Sequence, residues 1–263
     1  VAQNQLTPSL QSLRLVVAHM FKYEIINELI RKRGYRRYLE ICTPSTGHRF
    51  SKIDWRSLHV RHRLMYRCPA NFNDRSEVTY RSETENIKGL IPAQAQYDMV
   101  FVDPWHTYDC SIRDLREGFA RLRRGGTMIV HDCCPPSEKL VSPQVRNGLW
   151  CGLTYCAYVD FVLSTASVSH QTVDTDFGCG IVTDEPEIEF VTAAHTPYGD
   201  IAKEWFQERK SGRDIYPFFV QHKERLLNLV SAKDFAAQEN FKRRFNISEF
   251  FTAVTLRRTA GWF

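Results

Sequence analysis

YDMVFVDPWHTYDCSIRDLREGFARLRRGGTMIVHDCC, residues 97–134, reads as strand, turn, helix, glycine turn and strand. Met99–Asp103 is a continuous apolar run closed by an acid, the pattern of a strand covered on both faces. Ser111–Leu122 places Ile112, Leu115, Phe119 and Leu122 at helical spacing. Gly125 and Gly126 read as the cap of that helix, and Thr127–His131 as the next strand, with His131 and Asp132 at its end. Ligands of open parallel sheets bind outside the carboxyl ends of the strands. Asp103, His106 and Asp132 are therefore expected at one cleft.

Outward from this stretch, Leu10, Leu13, Val17, Met20, Phe21, Ile25, Leu29 and Ile30 predict an amphipathic helix over 9–33. Gly34 stops it, and Arg31-Lys32-Arg33 read as a solvated helix end favoured by the dipole, the alternative being a phosphate-binding role. Strands are expected at Tyr38–Thr43, Arg63–Arg67 and Val78–Arg81, with a short helix at Glu83–Leu90 and a longer one at Val145–Leu163. Ser167–Val173 and Gly180–Thr183 flank a turn and predict an antiparallel hairpin. The alternation implies an α/β, doubly wound, mostly parallel seven-stranded sheet of Rossmann-like type. After Pro186 the pattern turns helical, at Ile201–Arg209 and Phe218–Val230. The expected division is a helical segment 1–34, a Rossmann-like domain 35–185 and a helical extension 186–263, which could cover the cleft or form a homodimer contact.

The chain has 263 residues, 43% apolar and 25% charged, which suits one α/β domain with an appendage. Its eight cysteines contain no C-x-x-C pair, which argues against a zinc site and for free thiols in a reducing compartment. No signal peptide and no membrane-length apolar run is recognisable, so the expectation is a cytoplasmic protein without a membrane partner. A net charge of +5 does not argue for nucleic acid.

Asp103-Pro104-Trp105-His106-Thr107-Tyr108, then Asp114-Leu115, Gly125-Gly126 and His131-Asp132-Cys133, together resemble class I S-adenosylmethionine-dependent methyltransferases, and more narrowly a bacterial branch with a D-G-x-H-x-Y turn. Asp174-Thr175-Asp176-Phe177-Gly178 resembles the same branch. The resemblance spans roughly residues 38–183. It implies a methyltransferase fold and activity with S-adenosylmethionine as cofactor. The residues it places beside the cofactor are Glu40, Cys42, Thr43 and Gly47 in the loop after the first strand, Cys68 after the second, Ser82 and Glu83 near the adenine, and Asp103. The chain departs from the family pattern twice. Cys42 stands where a glycine is usual, and Arg67 or Cys68 stands where an acid usually binds the ribose.

Transfer from a sulfonium is an in-line displacement in which the protein aligns the acceptor and removes its proton. A histidine, with an ordinary pKa of about 6.5, can act as that base, which points to His106; the alternative is a histidine that only holds the loop. Asp103 and Asp132 could contact the acceptor or hold Mg²⁺, which prefers oxygen ligands. They could instead bind the cofactor amine or the loop backbone. Asp174 and Asp176 could join a metal site or simply shape a hairpin. Ser82-Glu83 is also an ordinary helix cap. Trp105 and Tyr108 are candidate pocket walls. The expected reaction is O-methylation of a small polar acceptor, such as a sugar or secondary metabolite. N-methylation of a base or amine, with Trp105 stacking on it, and a non-catalytic module of the same fold stay open.

Overall fold

The computed structural model describes residues 20–44, 47–72, 78–165, 168–184 and 199–239. Strands β1 (Arg37–Cys42), β2 (Val60–Met65), β3 (Tyr80–Arg81), β4 (Tyr97–Asp103), β5 (Leu122–Val130), β6 (Ser169–Asp174), β7 (Cys179–Thr183) and β8 (Leu229–Ser231) form one sheet in the order β3-β2-β1-β4-β5-β7-β6-β8. Helices are α1 (Lys22–Arg33), α2 (Tyr108–Ala120), α3 (Thr154–Ser164), α4 (Gly199–Lys210), α5 (Tyr216–Leu227) and α6 (Ala232–Gln238). β1 pairs in parallel with both β2 and β4, so the strand order reverses between β1 and β4. β7 lies antiparallel between β5 and β6, as the hairpin pattern predicted.

Alternation along each strand explains the two cores. Leu39, Ile41, Val100, Val102, Met128 and Val130 face one way, packed with Leu115 of α2, Tyr155 of α3, Trp205 of α4 and Phe219 of α5. Tyr38, Met99, Phe101, Ile129 and Ile181 face the other way, packed with Ile25, Ile26 and Leu29 of α1 and Phe235 of α6. The sheet is thus covered on both sides, which is why its central strands read as unbroken apolar runs. All eight cysteines are buried and free. Among the described residues no helix is long and apolar enough to cross a membrane.

Several local expectations are corrected. The sheet has eight strands, one more than expected. Leu229–Ser231, whose first two residues fall in the helix expected over Phe218–Val230, pairs in parallel with β6 because Asn228 in the left-handed conformation terminates α5. Glu83–Leu90 is not helical. Ser82, Thr84 and Asn86 each accept the backbone N–H two residues on, at 3.2, 3.2 and 3.1 Å, and these local bonds displace the helical ones. Gly125 and Gly126 do not cap α2. The helix closes at Arg121, the strand begins at Leu122, and Gly125 (φ 73°) sits where the register with β4 shifts. Residues 145–153, expected to be helical, are irregular, with Gly148 and Gly152 at positive φ. The basic end of α1 is not simply solvated, because Lys32 and Arg33 pair with Glu239 at 2.6 and 3.0 Å. The expected helical positions 9–19 lie outside the described residues.

His170 of β6 is buried, with Nε2 3.1 Å from the Leu226 carbonyl. Burial pushes its pKa down to about 4, partly offset by that carbonyl. A depressed histidine favours the fold while it is neutral, so its contribution is complete above the unfolded value near 6.5 and is lost as pH falls toward 4. Between pH 7 and pH 5 this group should cost about 2 kcal/mol of stability. The measurement is the difference in urea-unfolding free energy between wild type and His170→Asn at the two pH values; parallel pH dependences would contradict it.

Candidate active site

The carboxyl ends of β4 and β5 gather the residues that the sequence brought forward. Asp103 is the last residue of β4, and Asp132 lies two residues past the end of β5. His106, in the turn between β4 and α2, places Nε2 3.0 Å from Asp132 Oδ2 and 3.6 Å from Asp103 Oδ1. Asp132 has a φ of 61°, a left-handed conformation unusual for a residue other than glycine. Such positions persist only where surrounding structure enforces them. Here the turn after β6 does so: Cys133 N–H donates to Gly178 O at 3.1 Å and Cys134 N–H to Phe177 O at 2.8 Å. The His106 turn is held from its other side, where Leu153 N–H donates to His106 O at 2.8 Å.

Three further residues complete the cluster. His131 Nδ1 lies 3.2 Å from Asp132 Oδ2 and 3.4 Å from Asp103 Oδ1. Asp176, from the turn between β6 and β7, lies 3.7 Å from His131 Nε2. Lys22, the first residue of α1, sends its ammonium to 2.7 Å from Asp103 Oδ2 and 3.1 Å from His131 Nδ1. Lys22 was missed in the sequence. A lysine in the first turn of an amphipathic helix reads as a surface charge, and nothing local signals that it points under the sheet edge. The turn Asp174–Gly178 divides its acids: Asp176 enters the cluster, whereas Asp174 is exposed.

The electrostatics are those of mutual ion pairing. Burial alone would raise the Asp103 carboxyl, but Lys22 and His131 hold it well below the usual carboxylate range. Burial likewise opposes ionisation of Asp132, and His131 and His106 override it and lower its pKa. Asp176, also buried, is pulled down to about 2 by His131 and Lys22. Burial works against a charge on His106, yet Asp132 and Asp103 raise it to about 9. His131 is raised by the same two acids against burial and against Lys22. At neutral pH, His106 is therefore protonated in this state, unlike the ordinary histidine expected from sequence.

The expected cofactor residues line the neighbouring strand ends, with two exceptions. Cys42 ends β1 in register with Asp103, and Thr43 follows it, buried. Gly47 opens a short 3₁₀ turn, Gly47–Lys52. Cys68 N–H donates to Ser82 O at 3.0 Å, which joins the ends of β2 and β3, and Glu83 beside them is exposed. Ser82 and Glu83 cap no helix. The first exception is Glu40, whose carboxylate is engaged by Arg63 at 3.2 Å and the Tyr38 hydroxyl at 3.1 Å. The second is the Cys42 thiol, which packs with Met65 and Cys68 in a small apolar cluster. Of the candidate walls, Trp105 meets Trp150 edge-on and has the Arg67 guanidinium 4.2 Å above its ring. Tyr108 turns away: its hydroxyl donates to Asp160 at 2.7 Å, and the same carboxylate also binds Trp205 and Arg209.

Residues 26–133, the segment from α1 to the end of β5, match the model of a family described as a methyltransferase domain. The segment is similar to a methyltransferase domain. Structures similar to this domain include a proposed caffeoyl-CoA O-methyltransferase of Staphylococcus aureus, 15% identical over 67% of this chain and 92% of that one, with a TM-score of 0.44. The O-methyltransferase TomG of Streptomyces achromogenes, solved with S-adenosylmethionine, is 15% identical over 68% and 82%, with a TM-score of 0.42. An O-methyltransferase of Bacillus cereus, solved with S-adenosylhomocysteine, is 16% identical over 67% and 91%, with a TM-score of 0.42. No curated sequence is significantly similar to the chain.

Proposed function

We propose that this protein is a methyltransferase that moves a methyl group from S-adenosylmethionine to a hydroxyl of a small polar acceptor. The observation that carries the reading is the position of His106, 3.0 Å from Asp132 at the ends of adjacent strands and beside the point where strand order reverses. In its neutral form the imidazole takes the proton of a weakly nucleophilic hydroxyl. Asp103 and Asp132 hold the ring in place, and Trp105 walls the approach.

The cofactor's place in this reading is the crevice outside β1 and β4, beside Thr43, Gly47, Cys68, Ser82 and Glu83. One feature of the cleft fits it: Asp103 Oδ1 is buried without a hydrogen-bond partner. That leaves an acceptor for a donor group, either the cofactor amine or the acceptor hydroxyl. The cofactor supplies the electrophilic methyl; the protein supplies alignment and proton removal.

The test is calorimetric titration of S-adenosylhomocysteine into the protein, with and without Mg²⁺. Micromolar binding in both conditions is expected, with an acceptor screen over hydroxyl compounds to follow. Absence of binding in both would overturn the reading and favour a domain of this fold without catalysis.

A further inference from the structure

Among the described residues, one group could hold a metal ion: Asp103, His131 and Asp132, all buried, with one ligand atom from each within 4.8 Å of the others. Carboxylate oxygens bind Mg²⁺ or Ca²⁺ at about 2.0–2.6 Å, so an ion shared by this trio would sit close against Asp103. Lys22 already holds that ground. Its ammonium is 2.7 Å from Asp103 Oδ2 and 3.1 Å from His131 Nδ1. The trio and the lysine cannot both be satisfied if a divalent ion enters.

We propose that Lys22 is a tethered cation that occupies this centre in place of a divalent metal. Two observations beyond the distances support it. The first is charge. Lys22 already brings a cation to 2.7 Å from Asp103, so a divalent ion in the same buried pocket would lie against a like charge, which is costly. The second is anchorage. The Lys22 backbone N–H donates to Asp176 Oδ2 at 3.1 Å, and Thr175 Oγ1 donates to Met20 O at 2.7 Å. The lysine is therefore held at both ends of its side chain by groups of the same site.

The substitution has a chemical consequence, which rests on the methyl-transfer reading although the occupancy itself does not. A metal ion offers vacant coordination positions where a hydroxyl could bind as alkoxide. An ammonium donates hydrogen bonds but offers no such position. The acceptor proton must then leave to a side chain.

The probe is Mn²⁺, titrated into the protein and followed by the electron paramagnetic resonance signal of the free ion, with no cofactor or acceptor present. Wild type is expected to bind no Mn²⁺ at millimolar concentration. Lys22→Met should bind one equivalent, at least about tenfold more tightly than any wild-type binding, because the trio is then a ligand set from which the competing ammonium has gone. Adding Asp132→Asn to Lys22→Met should abolish it. Circular dichroism checks that each variant folds, and Lys22→Gln, which keeps a donor toward Asp103, replaces Lys22→Met should the latter fail. One equivalent of Mn²⁺ on wild type, lost on Asp132→Asn, would overturn the proposal. So would a folded Lys22 variant that binds none. Neither result bears on S-adenosylhomocysteine binding, so the proposal and the methyl-transfer reading can fail separately.

Discussion

His106→Ala is expected to lower methyl-transfer turnover at least about a hundredfold while S-adenosylhomocysteine still binds, the range for loss of a general base. The expected pH dependence sharpens the test. Asp132 and Asp103 raise the His106 pKa to about 9 against burial. A raised pKa keeps the base protonated through neutrality, so wild-type kcat/KM should climb about tenfold per pH unit below that value and level off above it. His106→Ala should remove the climb as well as the rate. If the variant keeps both, the proton goes to another group and His106 only holds the turn.

The second large effect is expected from a residue with no chemistry of its own. Gly152 has a φ of 54°, and a Cβ built on it would lie 2.1 Å from the His106 carbonyl oxygen and 2.8 Å from the His106 Cβ. The neighbouring Leu153 N–H bonds that same carbonyl, so the close approach is part of how the turn is held. Gly152→Ala must push the two backbones apart and strain its own dihedral. Displacing a catalytic group by about 1 Å costs on the order of a hundredfold. Turnover should fall by about that factor, with a lowered melting temperature and S-adenosylhomocysteine affinity retained. Unchanged turnover in the folded variant would show that the His106 position does not depend on this contact.

The sequence made legible those features that depend on short-range pattern. The apolar run ending in Asp103 and the run before His131-Asp132 marked two central strands, and the carboxyl-end rule then brought Asp103, His106 and Asp132 together. What it hid depends on long-range placement. Lys22 joins the cluster from the far end of α1, through a docking angle that no local pattern encodes. Asp176 was visible as a turn residue, but the same turn offered Asp174 equally, and only the left-handed backbone at Asp176 and Phe177 selects between them. Ser82, Thr84 and Asn86 look like helix-compatible polar residues until their side chains are seen competing for the backbone. Gly125-Gly126 resembles a cap because a glycine pair marks either a helix end or a strand irregularity. The distinction rests on Asp98 O, 2.8 Å from where a Cβ on Gly126 would lie.

The three-residue strand β8 gives the chain's later part a role beyond contributing helices. It pairs with Thr172, Val173 and Asp174 on the outer side of β6. Without it, β6 would end the sheet as an open row of donors and acceptors, a template for pairing with another molecule. A version trimmed after residue 184 would keep every member of the acid–histidine cluster yet present that raw border to solvent, together with the core faces that Trp205, Phe219 and Phe235 cover. Its expected failing is not a blunted reaction but self-association, and shortening the protein toward a minimal catalytic core would select for aggregates.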